Sequence, residues 1–101
     1  MKALVVCETS LSARVLARRM EREIARHGVA GTVEADAREH ACGRLDSFDV
    51  VLLAPQAAWA YEAFQEATTG TQTHIWAITR ADYERRNAKK LANDLLAAVG
   101  E

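Results

Sequence analysis

Short apolar runs alternate with longer amphipathic stretches along the chain. The runs predict β-strands at Lys2–Cys7, Thr32–Asp36, Phe48–Ala54 and His74–Ile78. The first run is continuously apolar from Ala3 to Cys7 and the third from Val50 to Ala54, which is typical of strands buried on both faces of a parallel sheet. The second alternates apolar and polar residues, so we expect it nearer an edge of the sheet, where Glu34 and Asp36 reach water.

Apolar residues at helical spacing fill the stretches between these strands. In the longest stretch they form one side of a helix, at Leu11, Val15, Leu16, Ala17, Met20 and Ile24. Ser10 or Ser12 is the predicted N-cap of this helix and Gly28 its predicted end. The other predicted helices cover Arg38–Leu45 with a break at Gly43, Ala57–Thr68 after Pro55, and Ala88–Val99.

The alternation of strands and helices predicts the fold class. A connection between parallel strands needs a helix's worth of residues and is right-handed. We therefore predict an α/β protein, a three-layer sandwich whose four-stranded parallel sheet, in the order 2-1-3-4, carries helices on both faces. A chain of 101 residues without a linker or a repeat is expected to form a single domain over residues 1–101, and a monomer.

Charge and hydropathy limit the class of partner. Lys and Arg number 13 and Asp and Glu 14, a net charge of −1, so no binding to nucleic acid is predicted. The apolar run Ala3–Cys7 is far shorter than the ~20 residues that span a bilayer, and it is also too short for a secretory signal. We expect a cytoplasmic protein that does not span the membrane.

Neither a disulfide nor a metal site is predicted. The reducing cytosol favours thiols for both Cys7 and Cys42. The histidines His27, His40 and His74, taken together with Cys42, lack the short paired spacings of zinc sites.

Cys7 ends the first strand and is followed by small polar residues that lead directly into a helix. Ligands of parallel sheets bind at the carboxyl ends of the strands, where we also expect Pro55–Gln56 and the segment Thr79–Tyr83. The first N–H groups of a helix lack intrahelical partners and carry partial positive charge, so they bind phosphate or favour a thiolate. Cys7 is therefore a candidate phosphoryl acceptor. The alternative is a small apolar residue that completes a strand.

The order and spacing of these motifs resemble the enzyme IIB subunit, lactose/cellobiose class, of the phosphoenolpyruvate-dependent sugar phosphotransferase system. The likeness rests on the strand ending in Cys7, the long helix, the segment Val51–Gln56, and a final stretch with Asp82–Tyr83, Asn87 and Lys90–Leu91. It implies that Cys7 receives phosphate from a histidine of enzyme IIA. The phosphate then passes to a sugar held by the membrane enzyme IIC, and no cofactor takes part.

The resemblance also implies which residues surround the phosphate. The phosphate-binding loop would comprise Glu8, Thr9, Ser10, Leu11, Ser12, Ala13 and Arg14. Gln56 and Tyr83, expected on loops at the same sheet edge, would line it. The tryptophans Trp59 and Trp76 are expected in the core or at its rim.

The loop departs from the family pattern at Glu8, where the family commonly has Ser, and at Ser10, where it commonly has Gly. Glu8 places a negative charge beside a group that would become dianionic, and Ser10 restricts the backbone. Either Glu8 faces away, or phosphorylation is weakened or lost. Arg14 would offset the charge by pairing with the phosphate or with Glu8. A divergent regulatory or binding domain of the same fold, without phosphotransfer, therefore stays open as the alternative function.

A stripe of arginines along the first helix suggests a further hypothesis. An arginine recurs every four residues along the first helix, at Arg14, Arg18, Arg22 and Arg26. This stripe either docks an acidic partner or is a solvated face eased by Glu21 and Glu23.

A third function is a hydrolase similar to the low-molecular-weight phosphatases. Those enzymes need an Arg after five intervening residues, whereas six separate Cys7 from Arg14. They also need an Asp as general acid, and Asp82, expected in a loop, lacks the Pro that marks it. Hydrolysis is therefore less favoured than transfer.

Overall fold

Four parallel strands form one sheet in the order β2-β1-β3-β4. The strands are β1 Lys2–Cys7, β2 Thr32–Ala37, β3 Val50–Leu53 and β4 His74–Ala77. The structure, a computed structural model, describes residues 1–8 and 10–99, of which residues 10–12 by their backbone alone. The predicted α/β class, the parallel sheet and its strand order are confirmed.

Five α-helices and two 3-10 segments connect and follow the strands within the described residues. The helices are α1 Ser10–Arg26, α2 Arg38–Ala41, α3 Tyr61–Ala67, α4 Arg80–Glu84 and α5 Ala88–Ala98. The 3-10 segments are Leu45–Ser47 and Pro55–Ala60. The prediction of one α-helix over Ala57–Thr68 was wrong, because the chain turns as a 3-10 helix directly after β3 and becomes α-helical only at Tyr61.

Helix α1 begins and ends at defined points. It begins at Ser10, so Ser10 and Ser12 both lie inside the helix, and the prediction that one of them is its N-cap was wrong. Its end is a Schellman motif, in which Val29 N donates to Ile24 O at 3.3 Å and Gly28 N to Ala25 O at 3.0 Å. Gly28 has φ 76°, the left-handed conformation that this motif requires and that glycine adopts without a steric cost.

The sheet separates two apolar clusters. Alternate residues of β1 face opposite sides, with Val5 and Cys7 toward α1 and α5, and Leu4 and Val6 toward α2 and α3. All four residues of β3 are buried, as the continuous apolar run predicts for an inner strand. Val15 was predicted to share the buried side of α1 but is 43% exposed, because its place on the helix turns it away from the sheet.

The register aligns the strand ends at one edge of the sheet. Cys7 pairs with Ala37 of β2, and Leu53 of β3 pairs with both Val6 and Ala77. Whatever follows Cys7, Ala37, Leu53 and Ala77 along the chain therefore lies at the same edge. Within the part of the chain that the structure describes, no helix is both long and apolar enough to cross a bilayer.

Candidate functional site

Cys7 is the last residue of β1, an inner strand that is hydrogen-bonded to β2 on one side and β3 on the other. Only residues 8 and 9 separate it from α1, and Thr9 lies outside the described residues. The predicted phosphate loop is therefore mostly helix, because the segment from Ser10 to Arg14 belongs to α1. The first N–H groups of this helix lack intrahelical partners, as the sequence analysis required.

The structure describes only some of the side chains at the start of α1. Those predicted for Ser10, Leu11 and Ser12 lie outside what the structure describes. Ala13 is fully buried in the apolar cluster between α1 and the sheet, so its contribution to a phosphate site is limited to its backbone. Arg14 is exposed on the outer side of the helix.

The thiol-bearing residue is buried. Cys7 is 2% exposed and belongs to the same apolar cluster as Ala13 and Tyr83. A phosphoryl donor reaches a residue at this position only when the atoms that cover it move aside. Cys42, by contrast, is exposed, and no disulfide joins the two cysteines.

Glu8, directly after Cys7, is held by two side chains from other segments. Its Oε1 accepts a hydrogen bond from Nε1 of Trp59 at 3.2 Å. Nε of Arg38 lies 3.6 Å from the same oxygen, and the guanidinium stacks on the Trp59 ring at 4.6 Å from its centroid. The cation, the ring and the carboxylate thus contact one another, and Arg38 offsets the charge that Glu8 brings beside the sulfur.

The register of the sheet explains why these three residues meet. Arg38 directly follows Ala37, which pairs with Cys7, and Trp59 lies in the 3-10 segment after β3. The prediction that Trp59 lies in the core or at its rim was wrong, because this residue is 66% exposed. Arg38 was not among the predicted site residues, which came from the ends of β1, β3 and β4. Its position directly after β2, at the same sheet edge, is the signal that could have identified it.

The other predicted site residues lie at the same edge but in regular structure. Gln56 is exposed in the 3-10 segment Pro55–Ala60, and Tyr83 is buried in α4, so neither lies on a loop as predicted. Helix α4 forms because the side chain of Thr79 caps it, accepting a hydrogen bond from Asp82 N at 3.2 Å. Arg14 is not the partner of Glu8, since Arg38 holds that position.

Asp82, the candidate general acid of a phosphatase, is engaged in an ion pair. Nζ of Lys90 lies 2.8 Å from its Oδ2 and 3.1 Å from Oδ2 of Asp94. The hydrogen bond from Lys90 lowers the pKa of Asp82 below its ordinary value of 3.8, and the two carboxylates raise the pKa of Lys90. A general acid must be protonated near neutral pH, so this pairing argues against Asp82 in that role.

Metal binding finds no support in the described part of the chain. No group of three or more His, Cys, Asp or Glu side chains comes together there. What the edge offers is a buried cysteine, helix N–H groups and the cation of Arg38, a set suited to a phosphoryl group.

Two solved structures that are similar to this chain are IIB components of phosphotransferase systems. The lactose-specific IIB component domain of the phosphotransferase system from Streptococcus pneumoniae superposes with a TM-score of 0.87 at 20% identity, covering 97% of this chain and 96% of that one. The cellobiose-specific phosphotransferase IIB component from Borrelia burgdorferi has a TM-score of 0.77 at 31% identity, covering 99% and 92%. No curated protein sequence is significantly similar to this chain.

Family membership follows from the sequence match as well as from the fold. The family described as the lactose/cellobiose-specific IIB subunit of the PTS system matches residues 2–94. This match spans all four strands and the site edge. The chain therefore belongs to the lactose/cellobiose-specific IIB subunit family of the sugar phosphotransferase system.

Proposed function

We propose that this protein is a cytoplasmic phosphocarrier that accepts a phosphoryl group on Cys7 from enzyme IIA and passes it to a sugar bound by the membrane enzyme IIC. The observation that carries the proposal is the position of Cys7, at the end of an inner strand and two residues before α1. The family supports it, because a IIB subunit works between those two components.

The chemistry needs one nucleophile and a place for charge. In the first step the sulfur of Cys7 attacks phosphorus, the N–P bond to the donor histidine breaks, and an S–P bond forms. The proton that the thiol gives up ends on the imidazole nitrogen. In the second step a sugar hydroxyl attacks phosphorus, the S–P bond breaks, and the hydroxyl proton returns to the thiolate.

Both steps depend on positioning and electrostatics more than on acid or base groups. Positive charge at this end of β1 comes from the N–H groups at the start of α1 and from the guanidinium of Arg38, which lies against Glu8, the residue after Cys7. Nε of Arg38 is buried and has no hydrogen-bond partner among the described residues, so this cation keeps a donor for an incoming oxygen. Glu8 occupies the anionic position beside Arg38 until the phosphoryl group arrives.

The test is phosphorylation of the purified protein. Phosphoenolpyruvate, the general phosphotransferase proteins and an enzyme IIA of the lactose/cellobiose class are added, and intact mass is measured. We expect one phosphate on the wild type and on Cys42→Ser, the matched control, and none on Cys7→Ser. A wild type that stays unmodified while enzyme IIA is labelled contradicts the proposal.

A second candidate function is a regulatory or binding domain without phosphotransfer. The 2% exposure of Cys7 and the carboxylate of Glu8 beside it favour this candidate. Partner binding would then be indifferent to Cys7→Ala, and no phosphate would appear in the mass spectrum. The same phosphorylation experiment therefore separates the two functions.

A further inference from the structure

The basic residues of the protein fall into two groups. One group has partners, in ion pairs at Arg26, Arg38, Arg44, Arg80 and Lys90 and in the cation–π contact of Lys2 with the Phe48 ring. The other group has neither an ion pair with a described carboxylate nor a cation–π contact with a described ring. Its members, which we call the basic face, are Arg14, Arg18, Arg19, Arg22, Arg85, Arg86 and Lys89.

All members of the basic face lie on one continuous surface. They line two adjoining grooves, of about 370 and 550 Å³, which share Arg19 and Arg22. The smaller groove runs along α1 from Arg14, and the larger lies between α1 and the junction of α4 with α5. The apolar side chain of Val15, 43% exposed, lines the smaller groove.

The acidic residues nearest in sequence are engaged with groups outside the basic face. Glu21 accepts a hydrogen bond from Val33 N at 2.9 Å, and Glu23 pairs with Arg26 at 2.8 Å. Neither carboxylate forms an ion pair with a member of the basic face among the described residues, although Glu23 lines the larger groove. Like charges one turn apart destabilise a helix, so an uncompensated stripe in a chain of net charge −1 calls for an anion from outside.

We propose that the basic face docks an acidic surface of enzyme IIA, an inference that rests on the function proposed above and adds the surface and its chemistry. Arg14 lies one turn into the helix that begins after Cys7, so the face starts beside the acceptor. Most of its members are arginines, whose planar fork binds carboxylates with two hydrogen bonds. Val15 supplies an apolar contact of the kind found in protein interfaces.

Charge selects enzyme IIA over the other partners. The cytoplasmic loops of membrane proteins are rich in Lys and Arg, so enzyme IIC would repel the basic face. A nucleic acid attracts proteins through many phosphates at once, which a net charge of −1 opposes. A local acidic patch on enzyme IIA would need to contact this face alone, so the net charge of the whole chain does not oppose it.

The test measures the rate of Cys7 phosphorylation against the concentration of phosphorylated enzyme IIA. We expect Arg18→Gln/Arg22→Gln to raise KM by about tenfold with kcat unchanged, as for the loss of two partly exposed ion pairs. Added salt should raise the KM of the wild type more than that of the variant. The control, Lys2→Gln, removes a cation on the other face of the sheet, where Lys2 lies over Phe48, and should match the wild type.

Each outcome has a defined meaning. A double variant with the KM of the wild type overturns the docking surface and leaves the phosphocarrier function intact. If no phosphate transfers at all, calorimetry of unphosphorylated enzyme IIA against wild type and double variant still decides, and equal affinities overturn the inference. Binding to phosphatidylglycerol vesicles that is lost in the double variant, with KM unchanged, assigns the face to the membrane surface instead.

Discussion

The carboxylate of Glu8 accepts a hydrogen bond from the indole N–H of Trp59, across 51 residues of sequence and at 3.2 Å. The bond holds the carboxylate that follows Cys7 in sequence against Arg38, 3.6 Å away. An anionic residue next to the proposed phosphoryl acceptor is thus in contact with a cation and an aromatic ring. Its consequences are open to direct measurement.

Removing the charge of Glu8 should favour the phosphorylated state. Glu8→Gln keeps an oxygen for Trp59 but removes the anion that competes with phosphate for Arg38. We expect the equilibrium level of phosphorylation to rise about two- to fivefold, a small effect because the Glu8 side chain is 45% exposed and solvent screens it. The level is read by intact mass against a fixed ratio of phosphorylated to free enzyme IIA.

The matched control removes the same charge elsewhere. Glu66 is exposed in the last turn of α3, the helix that leads back to the start of β4. Glu66→Gln should leave the equilibrium unchanged. A drop in phosphorylation with Glu8→Gln would show that the carboxylate assists transfer.

Trp59 should report the state of Cys7 by its fluorescence. In a Trp76→Phe background Trp59 is the remaining tryptophan, exposed and in contact with both Glu8 and Arg38. A phosphoryl group that draws Arg38 toward Cys7 separates the cation from the ring and changes the emission. In Trp59→Phe the signal comes from Trp76, which packs against the core, and it should not respond. Identical spectra before and after phosphorylation of the Trp76→Phe variant would contradict this rearrangement.

The ion pair between Lys90 and Asp82 should appear as two shifted titrations. Lys90→Gln should return the pKa of Asp82 upward to about its ordinary value of 3.8, because the hydrogen bond from Lys90 is the main cause of the lowered value. In Lys89→Gln, the neighbouring control, the pKa of Asp82 should stay lowered. Carbon-13 NMR of the Asp82 carboxyl group measures its pKa in both variants.

The same pair sets a pH window for its contribution to stability. Since the pKa of Asp82 is lowered on folding, this contribution is complete above pH 3.8 and is lost as pH falls through the lowered value. Since the pKa of Lys90 is raised, the contribution is complete below pH 10.5 and is lost as pH rises further. Between these limits, the difference in unfolding free energy between wild type and Lys90→Gln should not vary with pH.

Two neighbours on α1 should differ sharply in their effect on stability. Leu16 is fully buried against the sheet, so Leu16→Ala leaves a cavity and should cost about 3 kcal/mol of unfolding free energy. Val15 is 43% exposed, so Val15→Ala should change stability by less than about 0.5 kcal/mol. Urea denaturation followed by circular dichroism compares the two. Equal losses would mean that the helix is rotated relative to the sheet.

The hydrophobic pattern was sufficient to predict the strands of the sheet but not all of the helices that connect them. Ala3–Cys7 and Val50–Leu53 are continuous apolar segments, and such segments predict inner parallel strands because no polar side chain has to reach water. Helix α4 was missed although Thr79 and Asp82 stand three residues apart, the spacing of a capping interaction. A helix of five residues has no apolar period to detect.

The contacts around Glu8 could not be predicted from local sequence at all. They join three segments whose distance depends on the pairing of Cys7 with Ala37 and on the 3-10 turn that carries Trp59. The burial of Cys7 is of the same kind, since strand alternation places it on the side of α1 only once the register is known. Local patterns identify the candidate nucleophile, and tertiary structure decides what surrounds it.

Cys7 belongs to a rigid inner strand, whereas the residues near it at the strand ends belong to segments that tolerate change. Backbone hydrogen bonds hold β1 from both sides, and Ala54 N also donates to Val6 O at 2.8 Å, so the amides of Val5 and Val6 should be among the slowest to exchange with deuterated water. Glu8, Arg38 and Trp59 follow the strands and can be replaced without disturbing the backbone hydrogen bonds of β1. Substitutions at these positions can therefore change which groups surround Cys7 while the position of Cys7 itself is kept.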